Sequence, residues 1–236
     1  MTQETEAATQ AGAALTRIIR RAIDEAGGWI GFDRFMSMAL YTPGLGYYAG
    51  SRPKFGLMPD SGSDFVTAPE LSPLFGRALA VQVGEALDAT GTDEVWEFGA
   101  GSGALAAQLL EALGARVRRY TIVDLSGSLR ERQAERLAAQ GDRVRWVDRL
   151  PERFEGVVVG NEVLDAMPVQ LLVRRGGVWH ERGVVWQDGA FAWSDRPTDL
   201  RPPLEPAGTH DYLTETHAQA RAFVATLADR LVRGAV

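Results

Sequence analysis

Cysteine is absent from all 236 residues, which excludes disulfides, thiolate nucleophiles, cysteine-ligated zinc and iron–sulfur clusters. Histidine is scarce. His180, His210 and His217 are scattered and none stands in a metal-ligand spacing such as H-E-x-x-H, so no metal is expected and each reads as a packing or surface residue. Lys54 is the only lysine, and arginine carries nearly all the positive charge. The 25 Lys and Arg against 31 Asp and Glu give a net charge of −6, without the basic face that a nucleic-acid binder needs. Long apolar runs are missing too: no stretch approaches the ~20 residues of a membrane span. Met1 to Gln10 is polar with two glutamates, unlike a secretory signal or an Arg-rich transit peptide, and a cytoplasmic location is expected.

What is present is enough apolar residue, 45%, to build a core, in a chain long enough for one sizeable domain or two small ones. The most informative stretch is Val95-Trp96-Glu97-Phe98-Gly99-Ala100-Gly101-Ser102-Gly103. An apolar strand ends in an acid, passes through alternating glycines and opens a helix over Ala104–Leu113. Glycine there allows a sharp turn and lets a ligand approach the main chain, while the helix start offers N–H groups and a positive dipole end. Two ligand classes fit. Gly101 to Ala106 matches a G-x-G-x-x-A dinucleotide loop. An acid ahead of the glycines suits S-adenosylmethionine, whose methionine end is an ammonium and whose sulfur is cationic. Glu97 would meet that ammonium, or would simply be a strand-end carboxylate facing solvent.

Apolar periodicity predicts an amphipathic helix over Ala13–Ala26, closed by Gly27-Gly28, and a second over Phe32–Leu40. Ala49–Gly62, rich in Gly, Pro and Ser, reads as a mobile loop. Leu74–Ala89 reads as a helix with Ser72 as N-cap and Pro73 at its first position. Strands at Val95–Phe98, Arg119–Leu125, Arg143–Val147 and Gly156–Gly160 alternate with helices at Ala104–Leu113 and Ser128–Ala139, implying a parallel α/β sheet. Leu171–Arg174, Val178–Val185 and Ala190–Trp193, turning at Gly176-Gly177 and Asp188-Gly189, form an antiparallel ribbon. A final helix is expected near Thr214–Arg233. The division predicted is 1–90, a helical cap, and 91–236, a nucleotide-binding fold with a ribbon inserted at 169–195. Four parallel strands before Gly234-Ala235-Val236 suggest a sheet whose C-terminal part is missing.

Chemistry-bearing residues gather at strand ends. Asp124 closes the second strand about twenty residues past the glycines, where either ligand class places a ribose acceptor; capping the following turn is its alternative role. Asp148 could accept from an adenine amino group or face solvent beside Arg149. Asn161, Glu162 and Asp165 follow the fourth strand, at the end of the sheet where ligands bind. Helix capping explains Asn161 or Asp165 alone but not all three. Asp64, Thr67 and Glu70, in Gly62 to Ser72, are likewise unexplained by a helix entry.

Gly46-Tyr47-Tyr48, Asp64-Phe65 with Thr67-Ala68-Pro69-Glu70, Glu97 to Gly103, and Asn161-Glu162 with Asp165-Ala166-Met167-Pro168 occur in this order. The combination resembles the MidA-like family of S-adenosylmethionine-dependent methyltransferases, whose mitochondrial members methylate an arginine of a respiratory complex I subunit and assist its assembly. The resemblance departs at Ser63, Asp124 and Gly127, where the family usually has Gly, Glu and Pro. It implies an α/β Rossmann-like class I methyltransferase sheet with a helical cap, and S-adenosylmethionine as cofactor. It implies cofactor contacts from Glu97, Gly99, Ala100, Gly101 and Gly103, from Asp124, Leu125 and Asp148, and from Asp64, Thr67 and Pro69. Glu162 and Asp165 would grip the acceptor guanidinium and Asn161 would orient it or the cofactor. The implied partner is a protein substrate, a respiratory NADH dehydrogenase subunit by resemblance, with no nucleic acid and no membrane insertion. A non-catalytic assembly factor and an NAD-dependent oxidoreductase are the alternatives.

Overall fold

A computed structural model describes residues 3–48, 67–124 and 127–236, and its strands sort into two five-stranded sheets of opposite character. In chain order the first elements are α1 (Gln3–Glu25), β1 (Ile30–Gly31), α2 (Phe32–Tyr41), α3 (Ala68–Leu71), α4 (Pro73–Thr90), β2 (Glu94–Phe98) and α5 (Ala104–Leu113). Next come β3 (Arg119–Val123), α6 (Gly127–Arg136), β4 (Val144–Val147) and β5 (Phe154–Gly160). The remainder is β6 (Gln170–Arg175), β7 (Val178–Gln187), β8 (Ala190–Pro197), β9 (Tyr212–Thr216), α7 (Ala218–Arg230) and β10 (Leu231–Ala235). Two compact units result: Met1–Ser51 with Leu164–Phe223, and Arg52–Val163 with Val224–Val236.

The second unit holds the parallel sheet, in the order β10-β5-β2-β3-β4. The glycine-loop strand β2 is central, with Val95 opposite Tyr120 on one side and Val157 on the other. Alternation along β2 turns Val95 and Glu97 to the same face, and with Tyr120, Ile122 and Val157 they are buried. Leu105, Leu109 and Leu110 of α5 and Ala80, Val83 and Leu87 of α4 complete that core. Each large aliphatic side chain buried in it contributes roughly 1.5–3 kcal/mol. The helix start read at Ser72-Pro73 is borne out: the Ser72 hydroxyl accepts from the Leu74 N–H at 3.1 Å.

The first unit carries the antiparallel sheet, β1-β7-β6-β9 with β8 on β7. Its turns follow the sequence reading, Gly176-Gly177 and Asp188-Gly189 all having positive φ, as a two-residue hairpin turn of matching twist demands. Ile19 and Ile23 of α1 pack with Ile30 and Val184.

Several expectations are corrected. The first helix begins ten residues earlier than predicted, because Gln, Glu, Thr and Ala before Ala13 continue a helix without adding an apolar stripe. α6 ends at Arg136, and a 3-10 turn at Ala138–Arg143 follows, with Gly141 at φ 53°. The helix predicted near Thr214–Arg233 is three elements: Tyr212–Thr216 pairs antiparallel with β6, the helix proper is Ala218–Arg230, and Leu231–Ala235 is a fifth parallel strand beside β5. The partition at residue 90 differs from the structure as well, for α4 packs with the parallel sheet while the ribbon belongs to the unit that includes α1 and α2. The loop read at Ala49–Gly62 lies outside the described residues.

Candidate functional site

The glycine loop leaves the carboxyl end of β2 through Gly99, Gly101 and Gly103, whose φ angles are 64°, 54° and 81°. These are left-handed values that a β-carbon disfavours, so glycine at alternate positions is a backbone requirement. Ala100, between them, is buried, and its carbonyl accepts from the Gly103 N–H at 2.8 Å, tightening the turn into α5. A β-carbon on Gly99 would stand 3.0 Å from Val163 Cγ2, so the loop also lies close against the segment after β5.

Glu97 does not face solvent. Its residue is 2% exposed, and the Tyr120 hydroxyl donates to its Oε2 at 2.8 Å. Burial pushes its carboxyl up to about 7; the Tyr120 hydrogen bond opposes this shift and the Asp124 charge adds to it. Tyr120 is raised well above its ordinary value, first by its own burial and then by Glu97. The site therefore holds a carboxyl whose ionised form is disfavoured until a cation or donor arrives.

Asp124 follows β3, and its Oδ2 accepts from Gln133 Nε2 at 2.8 Å. Its carbonyl accepts from Arg130, with Nε at 2.8 Å. Asp148 lies past β4, exposed, with Arg149 Nε 3.5 Å away. Thr67 occupies the N-cap position of α3 without a side-chain cap. Pro69 is buried, and its carbonyl accepts from Gln108 Nε2 at 2.7 Å, which ties α3 to α5. Asp64 and Leu125 fall outside the described residues.

Glu162 is a finding of its own. It is one of two non-glycine residues with positive φ among those described, at 55°, directly after β5. Such backbone strain costs about 1–3 kcal/mol and collects where a side chain must be aimed. Asn161 Nδ2 lies 3.4 Å from Glu162 Oε1, a long hydrogen bond that ties the two side chains together. Asp165 belongs to the other unit, which begins again at Leu164, so the three predicted residues are divided between the units. Within its own unit, Asp165 precedes Ala166, whose carbonyl accepts from the Tyr41 hydroxyl at 2.5 Å. Tyr41 is raised by burial first, then by Tyr48 and Asp165.

Sequence reasoning missed three participants. Gln133 is fully buried and bonds Gly101, Asp124 and Trp146. The Ser102 hydroxyl of the loop donates to Glu70 Oε1, while Arg136 Nη1 reaches Ser102 Oγ at 2.7 Å and Glu70 at 3.2 Å. Glu70, the acid that a helix entry left unexplained, thus clasps the glycine loop. The available signal was the spacing of Gln133 and Arg136 on one helix face, but it looks like any polar helix surface.

Residues 78–236 match a family of S-adenosyl-L-methionine-dependent methyltransferases. Among curated proteins, the mitochondrial protein arginine methyltransferase NDUFAF7 homologue of Caenorhabditis elegans is 29% identical over 65% of this chain and 42% of its own length. The Danio rerio protein arginine methyltransferase NDUFAF7 is 27% identical over 66% of this chain and 43% of its own. The chain thus spans less than half the length of these relatives. A protein from Burkholderia thailandensis, solved with S-adenosyl-homocysteine bound, is 53% identical with a TM-score of 0.85, over 97% of this chain and 62% of that one. The glycine loop, the buried acid before it and the match over most of the chain lead to one result: the chain belongs to the MidA-like family of S-adenosyl-L-methionine-dependent methyltransferases.

Proposed function

We propose that the chain binds S-adenosyl-L-methionine at the Glu97–Gly103 loop and belongs to an enzyme that methylates an arginine side chain of a protein. The observation that carries the cofactor is Glu97, a buried carboxyl beneath three left-handed glycines. A pyrophosphate brought to this loop would meet the Glu97 carboxylate as a like charge. The ammonium of S-adenosyl-L-methionine meets it as an opposite one. The residues fit the group: glycine leaves the main chain bare at 99, 101 and 103, and Asp124 supplies a ribose acceptor at the next strand end. Bound there, the cofactor supplies a methyl group already activated on a positively charged sulfur.

This chain's residues then have positioning and electrostatic work. Orientation of two bound reactants can contribute ~7–11 kcal/mol in favourable cases. Free arginine is a poor nucleophile, its pKa standing above ~12. Glu162, aimed by its strained backbone, supplies a carboxylate that holds a guanidinium through paired N–H groups, with Asn161 beside it to orient the nitrogen. The arginine acceptor is supported by the names of the curated relatives, and a respiratory NADH dehydrogenase subunit as its carrier by the family resemblance.

Calorimetric titration with S-adenosylhomocysteine and with NADH tests the cofactor. The expected result is micromolar binding of the first and none of the second; binding of NADH alone sinks the reading. Methyl incorporation into an arginine peptide but not its lysine counterpart tests the acceptor.

A further inference from the structure

Gln133 is a buried polar side chain of the parallel unit with every one of its polar atoms in use. It is 0% exposed, and both N–H groups of its amide are engaged, donating to the Gly101 carbonyl at 2.9 Å and to Asp124 Oδ2 at 2.8 Å. Its Oε1 accepts from Trp146 Nε1 at 2.9 Å. The partners fix which end is which. A main-chain carbonyl and a carboxylate only accept, and an indole N–H only donates, so the amide has one chemically sensible orientation. An apolar residue would fill the same space without the cost of desolvating an amide. What the amide adds is a link between the glycine loop, the end of β3 and β4.

The neighbours on α6 point the same way. Arg130 Nε donates to the carbonyl of Asp124 at 2.8 Å, and Arg136 reaches Ser102 of the glycine loop at 2.7 Å. The helix therefore holds Asp124 by main chain and side chain together, and holds the loop at two successive residues, Gly101 and Ser102. Gln133 engages the carboxylate at Oδ2, and fixing that oxygen restricts the plane of the carboxylate relative to the glycine loop.

We propose that Gln133 is a positioning residue for the cofactor's ribose, orienting the Asp124 carboxylate relative to the glycine loop so that it accepts from the ribose hydroxyls. The proposal rests on the cofactor reading above. It makes Gln133 a determinant of hydroxyl recognition rather than of the cofactor's methionine end.

The test compares S-adenosylhomocysteine with its 2′,3′-dideoxy analogue by calorimetry on the whole chain. Wild type should prefer the hydroxylated ligand by tenfold or more. Gln133→Met, which conserves volume but removes the amide, should lose about tenfold in affinity for S-adenosylhomocysteine and little for the dideoxy ligand, collapsing the ratio. Trp146→Phe removes only the third bond and should lower the melting temperature while leaving the ratio as in wild type. If Gln133→Met does not fold, Gln133→Glu carries the same comparison, since it keeps the shape and replaces the donor with an acceptor. Equal losses for both ligands, or none, would overturn the proposal and leave Gln133 as a packing residue. Wild type that binds neither ligand would overturn the cofactor reading itself, a result distinct from an unchanged ratio.

Discussion

Glu97 shows how a single buried carboxyl sets a pH dependence. Its folded-state value of about 7 lies above the ordinary glutamate value near 4.3, so the folded chain keeps this proton while the unfolded chain has lost it. Its contribution to stability is fully present below about pH 4.3 and is lost as pH rises towards about 7. Binding runs the other way. A ligand ammonium favours the ionised carboxylate, so affinity for S-adenosylhomocysteine should rise up to tenfold per pH unit below 7 and level off above it. Tyr120→Phe removes the donor that favours the ionised form, and should move this rise to higher pH. Titrations from pH 5.5 to 8.5 on both proteins check this; a flat profile in wild type would mean that Glu97 does not meet the ammonium. The sequence placed Glu97 before the glycines, but its burial depends on Tyr120 lying on the next strand, a pairing no local pattern reports.

Among the elements, α5 was legible to the residue because glycine bounds it on both sides, Gly103 and Gly114 both having positive φ. The C-terminal stretch was not. Tyr212–Thr216 is a strand through its pairing with β6, some forty residues earlier in the chain, and nothing nearby in sequence encodes that partner. The helix after it is preceded by His217, whose Nδ1 accepts from the Ala220 N–H at 3.1 Å, although histidine is not a preferred cap. The sequence reading runs the helix on to Arg233, yet Leu231–Ala235 is extended beside β5 with Gly234 opposite Gly156. Both glycines have positive φ, and a β-carbon on either would run into main-chain carbonyl oxygen, Gly156 into that of Glu94 and Gly234 into that of Gly156. β10 lies this close to β5 because Gly234 has no side chain, and β5 lies this close to β2 because Gly156 has none. Gly156→Ala and Gly234→Ala should therefore each cost about 2 kcal/mol or more in urea unfolding. Gly176→Ala, strained in φ but with open space around it, should cost less. Equal losses at all three positions would show that φ rather than crowding sets the penalty.

For the whole chain, the order of residues and the order of packing differ. Each unit is completed by a segment that returns from elsewhere in the sequence, and the division falls within α7. A linear reading therefore set its boundary at residue 90, where helices give way to alternating strands, and could not see that Ala80, Val83 and Leu87 enter the core of the parallel sheet. Each unit closes an apolar cluster of its own, one around Leu109 and Ile122, the other around Ile23 and Val184. The proposed cofactor residues of the glycine loop, with Asp124, all belong to the parallel unit. A ligand that binds only the folded form stabilises it by about 2.7 kcal/mol at 100 times its dissociation constant. Amides that exchange only on full opening of that unit, such as those of Leu109 and Ile122 in its buried core, should then exchange about a hundredfold more slowly with S-adenosylhomocysteine present. The amides of Ile23 and Leu172, buried in the antiparallel unit, provide the internal comparison. Unchanged exchange at Leu109 and Ile122, at a concentration where calorimetry shows the ligand bound, would place the ligand away from the glycine loop, because no ligand seated there can leave the opening of its own scaffold unaffected.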